Sequence, residues 1–110
     1  MAVRAILKTQ GLSPKRLRPL VNGVRGQNAQ DILNSLRLMP GPAASCVAGA
    51  IRSAIANAEN NMSMATNSLK IVRAVVDGGP MVKRMRAKAR GRGSRILRRT
   101  SHITIEVDEV

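Results

Sequence analysis

Apolar and polar positions change rhythm along this chain, and each rhythm predicts an element. From Val3 to Lys8 they alternate weakly, with Val3, Ala5 and Leu7 on one side, which predicts a short strand. Gly11-Leu12-Ser13-Pro14 is a helix start signal, because Ser13 suits the cap and Pro14 the first helical position, where no amide hydrogen bond is lost. Leu17, Leu20, Val21 and Val24 then form an apolar stripe at helical spacing, with Lys15, Arg16 and Arg18 facing outward. Pro19 removes an internal hydrogen bond, so an irregular first turn or a later start is expected, and Arg25-Gly26 ends the helix. Asn28 can cap a second helix in which Ala29, Ile32, Leu33 and Leu36 share a face. Pro40-Gly41-Pro42 breaks it and opens a third, the longest, from about Ala43 to Asn60, where Val47, Ile51, Ala54, Ile55 and Ala58 repeat. Met62-Ser63-Met64-Ala65-Thr66-Asn67 reads as a loop.

The rhythm then becomes two. Leu69-Lys70-Ile71-Val72-Arg73-Ala74-Val75-Val76 is rich in β-branched residues and ends at the turn-forming Asp77-Gly78-Gly79-Pro80. Near the C-terminus His102-Ile103-Thr104-Ile105-Glu106-Val107 alternates without a break, placing Ile103, Ile105 and Val107 on one face. Between these strands, Lys83 to Arg99 carries nine basic residues in seventeen, with no acid and no aromatic. Arg84, Arg86, Lys88, Arg90 and Arg92 recur at a period of two and would share one face of an extended strand. Met85, Ala87, Ala89, Gly91 and Gly93 would occupy the other. An ordered hairpin arm is expected in a partner's presence, reaching on the order of 60 Å from Leu69 to a tip near Arg90 if extended throughout. A solvated, disordered run is the alternative, and the two overlap if the arm orders on binding.

The order β, α, α, α, β, arm, β implies an α+β fold, three helices packed on one face of a small, mainly antiparallel sheet with a long protruding β-hairpin. At 110 residues the chain is one domain, with a globular body at about 1–78 and 100–110 and the arm at about 79–99.

Charge and composition narrow what such a fold is for. Nineteen Lys plus Arg against six Asp plus Glu give a formal charge of +13, so polyanions are the default partners. Arg dominates the arm, and its planar fork suits bidentate phosphate contact. Phe, Tyr and Trp are absent, which removes base stacking on aromatic rings and leaves phosphate, 2′-hydroxyl and shape to recognise. An architectural DNA-bending arm also fits the charge, although at its tip Met85 is the nearest candidate for an apolar wedge and Ala87 and Ala89 are too small. A membrane-active hairpin is disfavoured by the lack of Trp, Phe and an amphipathic apolar face. Cys46 cannot form an internal disulfide and reads as a small packed hydrophobe in a reducing compartment. With no long apolar stretch and no signal peptide at Met1-Ala2-Val3-Arg4, a soluble, intracellular protein is expected.

Catalytic chemistry finds no constellation. His102 has no nucleophile or metal set near it in sequence, and Asp31, Glu59 and Asp77 are isolated while Glu106, Asp108 and Glu109 cluster at the end. Gly91-Arg92-Gly93 lacks the strand-to-helix context of a phosphate loop. No enzyme activity, cofactor or metal is expected.

Several blocks taken together carry a family resemblance: Ser53-Ala54-Ile55-Ala56-Asn57-Ala58-Glu59-Asn60-Asn61, Asp77-Gly78-Gly79-Pro80, Lys83-Arg84, Arg90-Gly91-Arg92 and Arg99-Thr100-Ser101-His102-Ile103-Thr104-Ile105. In order, from about Ser13 to Val107, the chain resembles the bacterial-type large-subunit ribosomal protein twenty-two family. The resemblance implies a structural protein that binds large-subunit (23S-type) ribosomal RNA early in assembly, beside neighbouring large-subunit proteins, in a cytoplasmic ribosome with an organellar one left open. It implies a body near the outer opening of the nascent-peptide exit tunnel. The hairpin would line the tunnel wall beside the nascent polypeptide, at a constriction below the macrolide-binding region. The RNA-contact set so implied is Lys15, Arg16, Arg18, Lys83, Arg84, Arg86, Lys88, Arg90, Arg92, Arg95, Arg98, Arg99, Ser101 and His102. The tunnel-facing tip would be Arg86, Ala87, Lys88, Ala89, Arg90, Gly91, Arg92 and Gly93. Two departures stand out: the tip lacks the proline common in relatives and gains Gly93, and Pro19 and Gly23 sit where relatives have ordinary helix formers.

Overall fold

A computed structural model of the chain describes residues 2–87, 91 and 93–109. In chain order the elements are β1 (Val3–Gln10), α1 (Pro14–Val24), α2 (Ala29–Arg37), α3 (Pro42–Met62), a 3-10 turn (Thr66–Ser68), β2 (Leu69–Gly78), β3 (Val82–Ala87), β4 (Gly93–Arg98) and β5 (Ser101–Glu109). The body is a three-stranded antiparallel sheet in the order β1-β5-β2, and β3 and β4 pair separately as a two-stranded ribbon.

Strand β5 is central, and its alternation decides which side the helices cover. Ser101, Ile103, Ile105 and Val107 are buried, while His102, Thr104, Glu106 and Asp108 lie on the opposite, half-exposed face. Helix α3 lies over β1 and β5, α1 packs on β2, and α2 braces α3. Leu17, Val47, Ile51, Ile71, Ile103, Ile105 and Val107 are wholly buried. With no aromatic ring to fill space, Ala29, Ala50, Ala54, Ala58 and Ala74 close the gaps by letting backbones approach. Cys46 packs half-buried against this core, in keeping with its reading as a small hydrophobe.

Local signals account for most element ends. The Asn28 side chain accepts from the amides of Gln30 and Asp31, capping α2 as its sequence predicts. Other expectations are corrected. Helix α1 starts at Pro14 and runs unbroken through Pro19. Pro19 lies on the exposed flank, so water can satisfy the Lys15 carbonyl it leaves open, and burial of Leu17, Val21 and Val24 holds the helix together. Ser13 occupies the cap position but its hydroxyl makes no capping bond; its carbonyl accepts from Arg16 N instead. Helix α3 extends to Met62 and stops at Ser63, whose φ of 53° is left-handed, and the 3-10 turn occupies part of the expected loop.

The expected turn at Asp77-Gly78 is also absent, because both residues stay in the ladder, opposite His102 and Ser101. The chain instead continues outward as one ribbon, interrupted twice. An extra residue, Val72, bulges between the pairs Ile71↔Val107 and Arg73↔Glu106. A second irregularity sets residues 79–81 against 99–100, before pairing resumes at Val82↔Arg98 and runs to Ala87↔Gly93. The molecule measures 62 × 25 × 19 Å, with a radius of gyration of 16.9 Å. A compact chain of this length would have about 13 Å, and the arm accounts for the difference.

Truncating Ile105 or Ile51 to Ala should cost roughly 2–5 kcal/mol in urea unfolding, because each is wholly buried. Asn28→Ala should cost about 1 kcal/mol through loss of the cap. Ser101 is buried and its hydroxyl donates to the Leu12 carbonyl at 2.5 Å, tying β5 to the β1–α1 connection. Ser101→Ala should therefore destabilise by about 1–3 kcal/mol, since it leaves that carbonyl unpaired.

Candidate nucleic-acid interface

Nine of the nineteen basic residues fall in the segment from Lys83 to Arg99, which contains no carboxylate, so the rest of the chain sets ten cations against six acids. Two body acids, Glu106 and Asp108, have basic counterparts on the helix-free face of the sheet. Arg73 meets Glu106 at 3.9 Å, Arg4 sits opposite Glu106 in register, and Lys70 sits opposite Asp108. The arm has no such internal compensation.

Register distributes the arm's charge. Alternation puts positions 82, 84, 86, 94, 96 and 98 on one side of the ribbon and 83, 85, 87, 93, 95 and 97 on the other. Arg84 and Arg86 share a side, as their spacing predicts, and Arg98 joins them. Met85, Ala87 and Gly93 fall on the other side, and Lys83 and Arg95, outside the alternating run, join them there, so basic positions occur on both sides of the ribbon. No two of them are directly opposed. Arg98 pairs with Val82, Lys83 with Leu97, Arg84 with Ile96, Arg95 with Met85, and Arg86 with Ser94. Like charges directly across a ladder destabilise it, and among the described residues this register sets no such pair while keeping the charge dense.

Lys83, Arg98 and Arg99 are exposed. At the distal end Gly93 is exposed and paired with Ala87, and Gly91 is exposed with φ of +74°, a conformation that suits glycine. Lys88, Ala89, Arg90 and Arg92 lie outside the described residues.

A second set of cations shares the arm's end of the body. Lys15 and Arg16 stand in the first turn of α1 and Arg18 follows, all exposed, with no acid in that turn. Cations at a helix N-terminus oppose its dipole at about 0.3–1 kcal/mol each, so the helix alone gains nothing from them. The pairing Gln10↔Ser101 and the Ser101–Leu12 hydrogen bond hold the start of α1 beside the root of the arm. Residues 15–18 and 98–99 thus come to the same end of the body, at the root of the arm.

Two further residues of the expected contact set sit at that root. Ser101 is a correction: it is buried with its hydroxyl engaged, and its position in step with Ile103 was the available sign that it points inward. His102 is half-buried opposite Asp77, with its ring over Gly79. Gly79, Thr100 and Leu12, which join arm to body, went unrecognised in the sequence because Gly79 read as part of a turn.

Among the described residues no group of three His, Cys, Asp or Glu is placed to hold a metal ion. No described helix is long and apolar enough to cross a membrane.

Comparison with known proteins agrees with this geometry. The family model described as ribosomal protein L22p/L17e matches residues 5–108. The large ribosomal subunit protein uL22 of Herpetosiphon aurantiacus is 43% identical over 109 residues, covering 99% of this chain and 96% of the relative. Its counterpart from Desulfosudis oleivorans is 45% identical over 107 residues, covering 97% and 93%. A match across almost the whole length, spanning the helix-covered sheet and both strands of the basic ribbon alike, places this chain in the L22p/L17e family of ribosomal proteins.

Proposed function

We propose that this chain is a non-catalytic component of the large ribosomal subunit that binds 23S-type ribosomal RNA through its arm and the start of α1. On this reading it supports early assembly and turns the end of its hairpin, Arg86 to Gly93, toward the nascent polypeptide in the exit tunnel. One observation carries it: a ribbon outside the core holds dense positive charge with no carboxylate of its own, has basic positions on both sides, and sets no two cations opposite each other among its described pairs. Phosphates on both sides would supply the missing anions, and Arg forks can engage them bidentately. RNA passing the arm's root would also meet Lys15, Arg16 and Arg18, and the open helix N-terminus adds favourable potential for phosphate. Without aromatic rings, recognition rests on backbone and shape.

Binding to a large-subunit RNA fragment should weaken steeply with salt. For about six to ten phosphate contacts, affinity falls roughly 10³ to 10⁵-fold between ~50 and ~200 mM. Replacing Arg98 and Arg99 by Ala should lower the magnitude of the log–log slope by about one each. Ser101→Ala should leave the slope unchanged. The chain should sediment with large subunits after a high-salt wash; recovery only with the nucleoid, or equal affinity for random DNA, would overturn the reading.

Deleting Met85 to Arg92 should leave the body's circular dichroism and its incorporation into subunits intact, since the apolar faces that the sequence assigns to the core all lie outside the deleted segment. The same deletion should change macrolide sensitivity or nascent-chain passage in cells carrying it. Loss of the body's fold would show instead that the arm packs on its own domain.

A further inference from the structure

The root of the arm is built more tightly than a flexible joint requires. Residues 79–81 face 99–100 there, so the regular ladder lapses and the ribbon would be free to swing if nothing replaced it. Three contacts replace it. Gly79 N donates to the Thr100 carbonyl at 2.9 Å, and Thr100 Oγ1 donates to the Pro80 carbonyl at 2.6 Å. Ser101, next in the chain, is bonded to Leu12 on the body. Thr100 is itself buried although it lies outside both sheets, and its branched Cβ leaves few rotamers.

Gly79 is the residue that lets these groups close. A Cβ there would stand 2.5 Å from Thr100 Oγ1 and 3.1 Å from His102 Cε1. Any side chain would push the Thr100 hydroxyl off Pro80 and displace the His102 ring. Its φ is not in the left-handed range, so proximity and not backbone conformation is what demands glycine.

We infer that Gly79 and Thr100 form a latch that fixes the direction of the arm relative to the body, and that they are positioning residues for the interface and not RNA contacts. Aim matters because the cations beyond the latch ride on a lever: a small rotation at residue 79 moves Ala87 and Gly93 by many ångströms. The latch also keeps the arm's cations in fixed register with Lys15, Arg16 and Arg18. The value of that aim rests on the RNA-binding role proposed above, but the latch itself can be measured without RNA.

The test uses the full chain with Cys46→Ser and spin labels at Glu59→Cys, exposed near the end of α3 away from the arm, and Arg98→Cys, exposed just beyond the latch. Double electron–electron resonance should give one narrow distance distribution for this background. Gly79→Ala and Thr100→Val should broaden or shift it, whereas Thr100→Ser, which keeps the hydroxyl, should not. Thermal unfolding of each variant verifies the body, and Thr100→Val carries the test alone if Gly79→Ala does not fold. Unchanged distributions in both variants, or a background already as broad as the variants, would overturn the latch. Hydroxyl-radical footprints on large-subunit RNA form a second arm: Gly79→Ala should lose protections made by the arm and keep those made by α1. If resonance shows the latch but the parent chain protects no ribosomal RNA, the functional reading fails while the latch stands.

Discussion

Strand β5 is the element on which the rest of the structure depends. It pairs with β1 on one edge and β2 on the other, and its inner positions Ile103, Ile105 and Val107 are wholly buried beneath α3 and between the neighbouring strands. A chain without aromatic rings needs this arrangement, since only close packing of Ile, Leu, Val and Ala can exclude water from so small a core. The helices reach no further than this sheet. Beyond the pair Gly78↔Ser101 the ribbon continues without a helical layer, and a two-stranded ribbon alone is marginally stable in water. That limit explains why its sequence is dominated by cations and not by alternating apolar residues. It also accounts for the staggering of the described cations across the ladder, where repulsion would otherwise be added to an element with little stability to spare.

Electrostatics follows the same division. Glu106 and Asp108 face Arg and Lys on the open sheet face, while the arm and the first turn of α1 accumulate like charge that disfavours their own local structure. Such features make physical sense if another molecule supplies the anions. Membership of a ribosomal protein family is consistent with a phosphate backbone in that role.

Much of this was legible in the sequence, for physical reasons that differ by element. The alternation of His102 to Val107 and the stripe of Val47, Ile51, Ala54, Ile55 and Ala58 report burial directly, because one face of each element meets the core. Asn28 was legible because a cap is a local bond. What escaped were outcomes decided at long range. Asp77 and Gly78 look like turn residues until His102 and Ser101, far along the chain, pair with them. Pro19 looks disruptive until tertiary burial of Leu17 and Val21 outweighs one lost hydrogen bond. A period of two correctly grouped Arg84 with Arg86, yet it could not reveal that Lys83, Arg95 and Arg98 would spread charge over both sides, because that depends on the register of the return strand. Family resemblance carried Ser101 into the contact set, whereas its parity with Ile103 pointed inward.

Hydrogen exchange on the free and RNA-bound chain tests the division between core and arm most directly. The account predicts slow exchange at Ile71, Ala74, Ile103, Ile105 and Val107 in both states. It predicts fast exchange across β3 and β4 in the free chain, slowed strongly on binding a large-subunit RNA fragment. Core amides that gain protection only with RNA, or ribbon amides equally protected without it, would contradict the account.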